Sequence, residues 1–311
     1  MLAIIFPGQG SQFIGMGKDF YDNYEITREI FEEISEITKI NLKDIIFENQ
    51  ENKLNSTEFT QISIFAVSIS IFSVIKDILK DKIINNISYT AGHSLGEYSA
   101  ICASKSISIS QCSLLLKKRG KYMQNSDPNS LTGMLAVIGL NINLIENILK
   151  NDNDNLFEIA NHNGINQIVI SLKKENINKV TEILNSAGAK KIIPLNVSAG
   201  FHSNFMSEAN NRMIEEINNS TFTDSIFPIV FNYNAQPSKN SNEIVENIKK
   251  QMINRVNWVD IIKFFENNNI KNVLEVGPNK VLNGLNKRIS DKVKYINVSS
   301  IYELENLENV F

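Results

Sequence analysis

Residues 87–100 read ISYTAGHSLGEYSA, and this stretch decides how the rest of the chain is laid out. ISYTA (87–91) is a short apolar run that predicts a strand, and EYSAICA (97–103) predicts a helix; GHSLG (92–96) stands between them. Gly92, Ser94 and Gly96 fit G-x-S-x-G, in which a serine rides a tight strand-to-helix turn and glycines occupy the two places where side chains would collide. Glycine and serine are common, so a lone match is usually a loop. The flanking strand and helix favour the reactive reading, with Ser94 as nucleophile. Such a turn also sets the Leu95 backbone N–H at the start of a helix, where free donors and the helix dipole favour an oxyanion.

Upstream, LAIIF (2–6) breaks into PGQG (7–10), which predicts a buried strand of a parallel sheet ending in a glycine-rich turn. That turn is the best source of a second oxyanion donor, because its glycines admit a ligand and Gln9 adds an amide; an ordinary strand end fits it equally well. Residues 61–79 and 111–124 predict helices, the second closing with Lys117, Lys118, Arg119 and Lys121 before SDPNS. A boundary belongs near residue 127.

Beyond it come GMLAVIGL (133–140), the helical INLIENILK (142–150), the loop NDNDN (151–155), strands LFEIANH and QIVISL, a helix over 175–187 and the strand KIIPL. The order βαββαβ is the split ferredoxin-like unit. The remainder predicts a helix over 208–218, the strand IFPIVFN (226–232), a helix over 243–252, then helix and strand in DIIKFFENNNIKNVLEVGP (260–278) and a last strand in KYINVSS. A small unit, 127–199, is thus inserted into a larger α/β domain made of 1–126 and 200–311.

A serine hydroxyl needs a general base near neutral pH, and histidine suits the task. Only three exist. His93 adjoins Ser94 and should point away from it; His162, in ANHNG, caps a loop of the inserted unit; His202, in SAGFHS, sits at the junction of the two units, where clefts form. His202 is therefore the preferred base. No carboxylate stands out to orient it, which leaves a backbone carbonyl or an amide for that role. Arg119, read alone, is a solvated charge at a helix end.

With 311 residues, 31 Lys plus Arg and 34 Asp plus Glu, the net charge of −3 gives no field suited to nucleic acid or an anionic membrane. Cys102 and Cys112 lie in no CxxC pair and near no His at ligand spacing, so neither a metal nor a disulfide is expected. The opening apolar run stops at Pro7 without a basic leader, and no uninterrupted run of about 18 apolar residues occurs, so a cytoplasmic protein is expected.

FPGQGSQ (6–12), GHSLGEYSA (92–100), RGKYMQ (119–124), FHS (201–203) and EVGP followed by KVLNGL occur in one order across residues 6 to about 288. Together they resemble the malonyl-CoA:acyl carrier protein transacylases of dissociated fatty-acid synthesis. The resemblance implies an α/β-hydrolase-like large domain with an inserted ferredoxin-like small domain. It implies Ser94 as nucleophile, His202 as base, the Gln9 and Leu95 amides as oxyanion hole, Gln251 orienting His202 through its main-chain carbonyl, and Arg119 gripping the malonyl carboxylate. The substrate is then a coenzyme A thioester, the acceptor is the thiol of acyl carrier protein, and no cofactor is implied. A free-standing acyltransferase for polyketide carriers, a carboxylesterase or thioesterase, and a noncatalytic carrier-binding scaffold are the competing readings. Phe201 resembles one malonyl-type version of its motif. Gly200, where relatives often have Pro, and Asn257, where Gln is frequent, depart from the pattern.

Overall fold

The computed structural model describes residues 1–151 and 154–307, so residues 152 and 153 of the expected NDNDN loop lie outside the described residues. Strand β1 (Leu2–Phe6) is followed by α1 (Lys18–Asn23), α2 (Glu25–Thr38), α3 (Thr57–Leu79) and the single turn α4 (Asp81–Ile84) before β2 (Ile87–Gly92). Next come α5 (Leu95–Ala103) and α6 (Ile109–Gln124). A second group holds β3 (Thr132–Ile138), α7 (Ile142–Lys150), β4 (Phe157–Gly164), β5 (Gln167–Lys173), α8 (Ile177–Ser186) and β6 (Lys191–Pro194). The chain closes through α9 (Ser207–Asn218), β7 (Ile229–Val230), β8 (Pro237–Ser238), α10 (Ser241–Gln251), α11 (Trp258–Asn267), β9 (Asn272–Val276), α12 (Val281–Asn286), β10 (Lys294–Val298) and α13 (Ile301–Leu307).

This is an α/β fold with two sheets. The larger is mixed, in the order β10–β9–β1–β2–β7–β8, with β8 antiparallel to β7 and the other pairs parallel. The smaller is antiparallel, in the order β4–β5–β3–β6. β1 is buried along its whole length, as its unbroken apolar run requires of a central parallel strand. Its alternate residues feed two cores: Leu2, Ile4 and Phe6 face the cluster built with α3, α5 and α6, while Ala3 and Ile5 face the one built with α11 and α12. A third core lies between the small sheet and its helices α7 and α8.

Helix starts follow local chemistry. Ser108 accepts from the Gln111 N–H, Asn141 from that of Leu144, and Asn240 from those of Asn242 and Glu243. Helix α3 has a mean hydropathy of 2.0 over an 18-residue window, enough by composition to cross a membrane, yet 83% of that window is buried inside the protein. Buried on nearly every side, it is the central helix of the main core.

Two expectations need correction. The strand expected over 226–232 pairs only at Ile229–Val230: Pro228 has no N–H to give, and Asn232 turns inward to bond groups near Ser94. His162 caps no loop. It is a buried member of β4, and its N–H donates to the Val256 carbonyl at 2.9 Å.

Candidate active site

Strands β1 and β2 lie side by side with Phe6 opposite Gly92, so PGQG and GHSLG leave the same carboxyl edge of the sheet. The His93 N–H donates to the Phe6 carbonyl at 3.0 Å, tying the two turns together. The glycines permit this contact. A Cβ on Gly92 would stand 1.9 Å from the Gly96 oxygen, and one on Gly96 would stand 2.2 Å from the Phe6 oxygen. Ser94 itself sits at φ 53°, ψ −109°, a conformation costly for a residue with a side chain.

Side chains from distant segments hold that turn. The Ser94 N–H donates to Asn232 Oδ1 at 2.7 Å, and the Ser94 carbonyl accepts from Gln251 Nε2 at 2.8 Å. Asn232 Nδ2 donates to the Gly92 carbonyl at 2.6 Å. Glu97, wholly buried in the first turn of α5, accepts from the Asn232 N–H at 2.5 Å and from Gln251 Nε2 at 3.0 Å. Burial pushes the Glu97 carboxyl from 4.5 up to about 7, opposed by those two donors and by the Arg119 charge.

Ser94 Oγ lies 2.8 Å from His202 Nε2. His202 Nδ1 faces the carbonyls of Gln251, at 3.1 Å, and Asn254, at 3.2 Å. Carbonyls only accept, so the ring proton belongs on Nδ1 and Nε2 is left to accept from the serine. Burial, reinforced by the Arg119 charge, lowers the His202 pKa from 6.5 to about 3, and the two carbonyls offset only part of this. The imidazole is therefore neutral near pH 7.

Arg119 is 1% exposed. The guanidinium donates to Gln61 Oε1 at 2.6 Å, to Gln251 Oε1 at 2.8 Å and to Ser94 Oγ at 3.2 Å, and lies 5.5 Å from the Tyr98 ring centroid. Its Nε–H has no partner among the described residues. Burial lowers its pKa, opposed by Tyr98 and Glu97. An arginine stays charged in such a place, so a permanent cation stands beside the serine.

These groups open into a cavity of about 160 Å³ that is also lined by Gln9, Leu95, Phe201 and, from the antiparallel sheet, Met134, Asn161, Asn163 and Val169. Leu95 is the first residue of α5, and its N–H is one of those a helix cannot bond internally. His93 turns aside and bonds Asn163 at 2.8 Å. Burial lowers its pKa, against the pull of that bond. A larger cavity, about 620 Å³ beside Lys76, Lys105 and Thr223, includes none of the three histidines, Ser94 or Arg119. Among the described residues no cluster of His, Cys, Asp and Glu side chains is arranged to hold a metal ion.

The six residues singled out from sequence thus surround one cavity or support it. The departures from pattern are accommodated. The Gly200 N–H, which a proline would lack, donates to Thr132 Oγ1 at 2.9 Å, and Asn257 Nδ2 donates to the carbonyls of Asn232 and Tyr233. Sequence reasoning missed Gln61, Glu97, Asn232 and Asn254. For the first two, the available signal was a long polar side chain among mostly apolar and small residues of a helix.

The acyl transferase domain family matches residues 3–290. The malonyl CoA-acyl carrier protein transacylase of Staphylococcus aureus (strain MRSA252) is 33% identical over 278 residues, 89% of this chain and 88% of that protein. Among solved structures, an acyl-carrier-protein-S-malonyltransferase from Bartonella henselae superposes with a TM-score of 0.94 at 35% identity, covering 99% of this chain and 98% of its own. A malonyl-transacylase solved in complex with a type II polyketide acyl carrier protein gives 0.93 at 31% identity, with 99% of both chains covered.

Proposed function

Because the chain belongs to the acyl transferase family, among the malonyl-CoA:acyl carrier protein transacylases, we propose that Ser94 carries the malonyl group between its two thiol carriers. The protein is an acyltransferase that takes malonyl from malonyl-CoA and delivers it to the phosphopantetheine thiol of acyl carrier protein, feeding fatty-acid elongation.

The single observation that carries the residue assignment is the 2.8 Å contact between Ser94 Oγ and a His202 whose Nδ1 is held by carbonyls. His202 Nε2 takes the hydroxyl proton as Oγ attacks the thioester carbon. The negative charge moves to the carbonyl oxygen, which the Gln9 and Leu95 N–H groups receive. Collapse breaks the C–S bond, the sulfur leaves with the proton from His202, and malonyl stays on Ser94 as an ester. The carrier thiol then gives its proton to His202 and attacks that ester, and the serine recovers the proton. Arg119 binds the malonyl carboxylate throughout; a buried guanidinium that lines the cavity beside Ser94 Oγ supports a planar fork for a carboxylate and selects against acetyl.

The strand orders support assigning residues 1–126 and 200–311 to an α/β-hydrolase-like body and residues 127–199 to a ferredoxin-like insert. No cofactor enters any step. Both cysteines are free thiols, which supports a cytoplasmic site of action. The test is initial-rate kinetics with malonyl-CoA and acyl carrier protein varied together. Parallel double-reciprocal lines are expected, and no transfer should occur to a carrier lacking its phosphopantetheine. Intersecting lines would overturn the covalent scheme.

A further inference from the structure

Gln251 presents its amide to three groups at once. Nε2 donates to the Ser94 carbonyl at 2.8 Å and to Glu97 Oε1 at 3.0 Å, while Oε1 accepts from the Arg119 guanidinium at 2.8 Å. The amide is buried, as are Glu97 and Arg119, so no water stands in for a misdirected atom. Turned over, it would set a donor against Arg119 and an acceptor against two acceptors. Ionised, Glu97 opposes that turn, since one oxygen accepts from Gln251 Nε2 and the other is already committed to the Asn232 N–H.

From this chain of contacts we infer that Glu97 is a positioning residue: by fixing which way the Gln251 amide faces, it sets the orientation of Arg119 and so the preference for acyl groups that end in a carboxylate. The guanidinium is bracketed by two amide oxygens, Gln61 Oε1 on one nitrogen and Gln251 Oε1 on the other. Releasing one bracket lets the plane turn, and a bidentate fork is lost by turning. An acetyl group, which has no carboxylate, does not use the fork. This inference rests on the reading of Arg119 as the grip on malonate.

The test compares the rates at which malonyl-CoA and acetyl-CoA acylate Ser94, followed by quenched intact-protein mass, in wild type, Glu97→Gln, Gln251→Met and Arg119→Ala. Glu97→Gln keeps the shape but directs an N–H at the Gln251 amide. The malonyl-to-acetyl ratio is expected to fall by roughly tenfold or more, the size of a lost bond to a charged group. Gln251→Met, which keeps the main-chain carbonyl behind His202, should show the same fall, and the double variant should fall no further. If Glu97→Gln does not fold, Gln251→Met decides. Equal losses for both donors, or a wild-type ratio in Gln251→Met, overturn the inference. A collapsed ratio in Arg119→Ala beside an unchanged ratio in Glu97→Gln overturns it alone; an unchanged ratio in Arg119→Ala removes the reading beneath it.

Discussion

The carboxyl edge of the mixed sheet and the face of the antiparallel sheet meet over the same cavity, and they are built differently. At the edge, Ser94, Glu97, Arg119, Asn232 and Gln251 bond one another, bury two charged groups and hold a strained serine. The small sheet brings Met134, Val169, Asn161 and Asn163, and the bonds along its seam run from the His162 N–H to the Val256 carbonyl, from the Gly200 N–H to Thr132 Oγ1 and from Ser171 Oγ to the Phe201 carbonyl. The first region is a polar network whose members depend on one another; the second is a lining that shapes the space beside it. Substitutions should therefore be severe on one side and graded on the other.

The largest expected effect is at His202. Replacement by Ala should cut malonyl transfer by about 10²–10⁴-fold, the usual worth of a positioned base, in a steady-state assay. Close behind is Gly96→Ala, whose new Cβ meets the Phe6 backbone oxygen at 2.2 Å. It should lower the Tm by the equivalent of about 1–3 kcal/mol and slow Ser94 acylation together, as read by calorimetry and intact mass. On the other side, Asn163→Ala removes the bond to His93. A modest loss of transfer and faster loss of malonyl to water are expected from counting free malonate; a His202-sized loss would erase the contrast between the two regions.

The smallest effect concerns pH. His202 titrates near 3 in the fold and near 6.5 when unfolded. Between those values the unfolded chain binds the extra proton, so this residue's contribution is present above pH 6.5 and is lost as pH falls toward 3. Glu97 and Glu275, both raised to about 7 by burial, act oppositely and favour the fold as pH falls below 7. The difference in stability between wild type and His202→Gln should therefore shift against wild type as pH falls from 6.5 to 5, measured by denaturant unfolding at each pH. His202 itself should add no step at 6.5 to acylation by wild type, because the base is already neutral.

What was legible in the sequence was local. GHSLG and PGQG carry their meaning in adjacent residues, since a tight turn needs its glycines where they stand. His202 is legible from the presence of only three histidines and from its place at a junction. Arg119 was not legible from its own helix: its partners Gln61 and Gln251 lie 58 and 132 residues away, and only tertiary packing turns a basic helix end into a buried cation. The strand expected at 226–232 shortens to Ile229–Val230, because an apolar run does not reveal that Asn232 is drawn toward Glu97 and Gly92. Glu97 stood in plain view within GHSLGEYSA, but a helix residue gives no sign that it will anchor an asparagine 135 positions on.

The most direct measurement is the intact mass of the protein after incubation with malonyl-CoA alone, for wild type and Ser94→Ala, followed by addition of holo acyl carrier protein. The account predicts one malonyl adduct on wild type, none on Ser94→Ala, and its disappearance from the enzyme as the carrier gains the same mass. An adduct that survives Ser94→Ala, or a carrier that becomes loaded while wild type never carries malonyl, would contradict it.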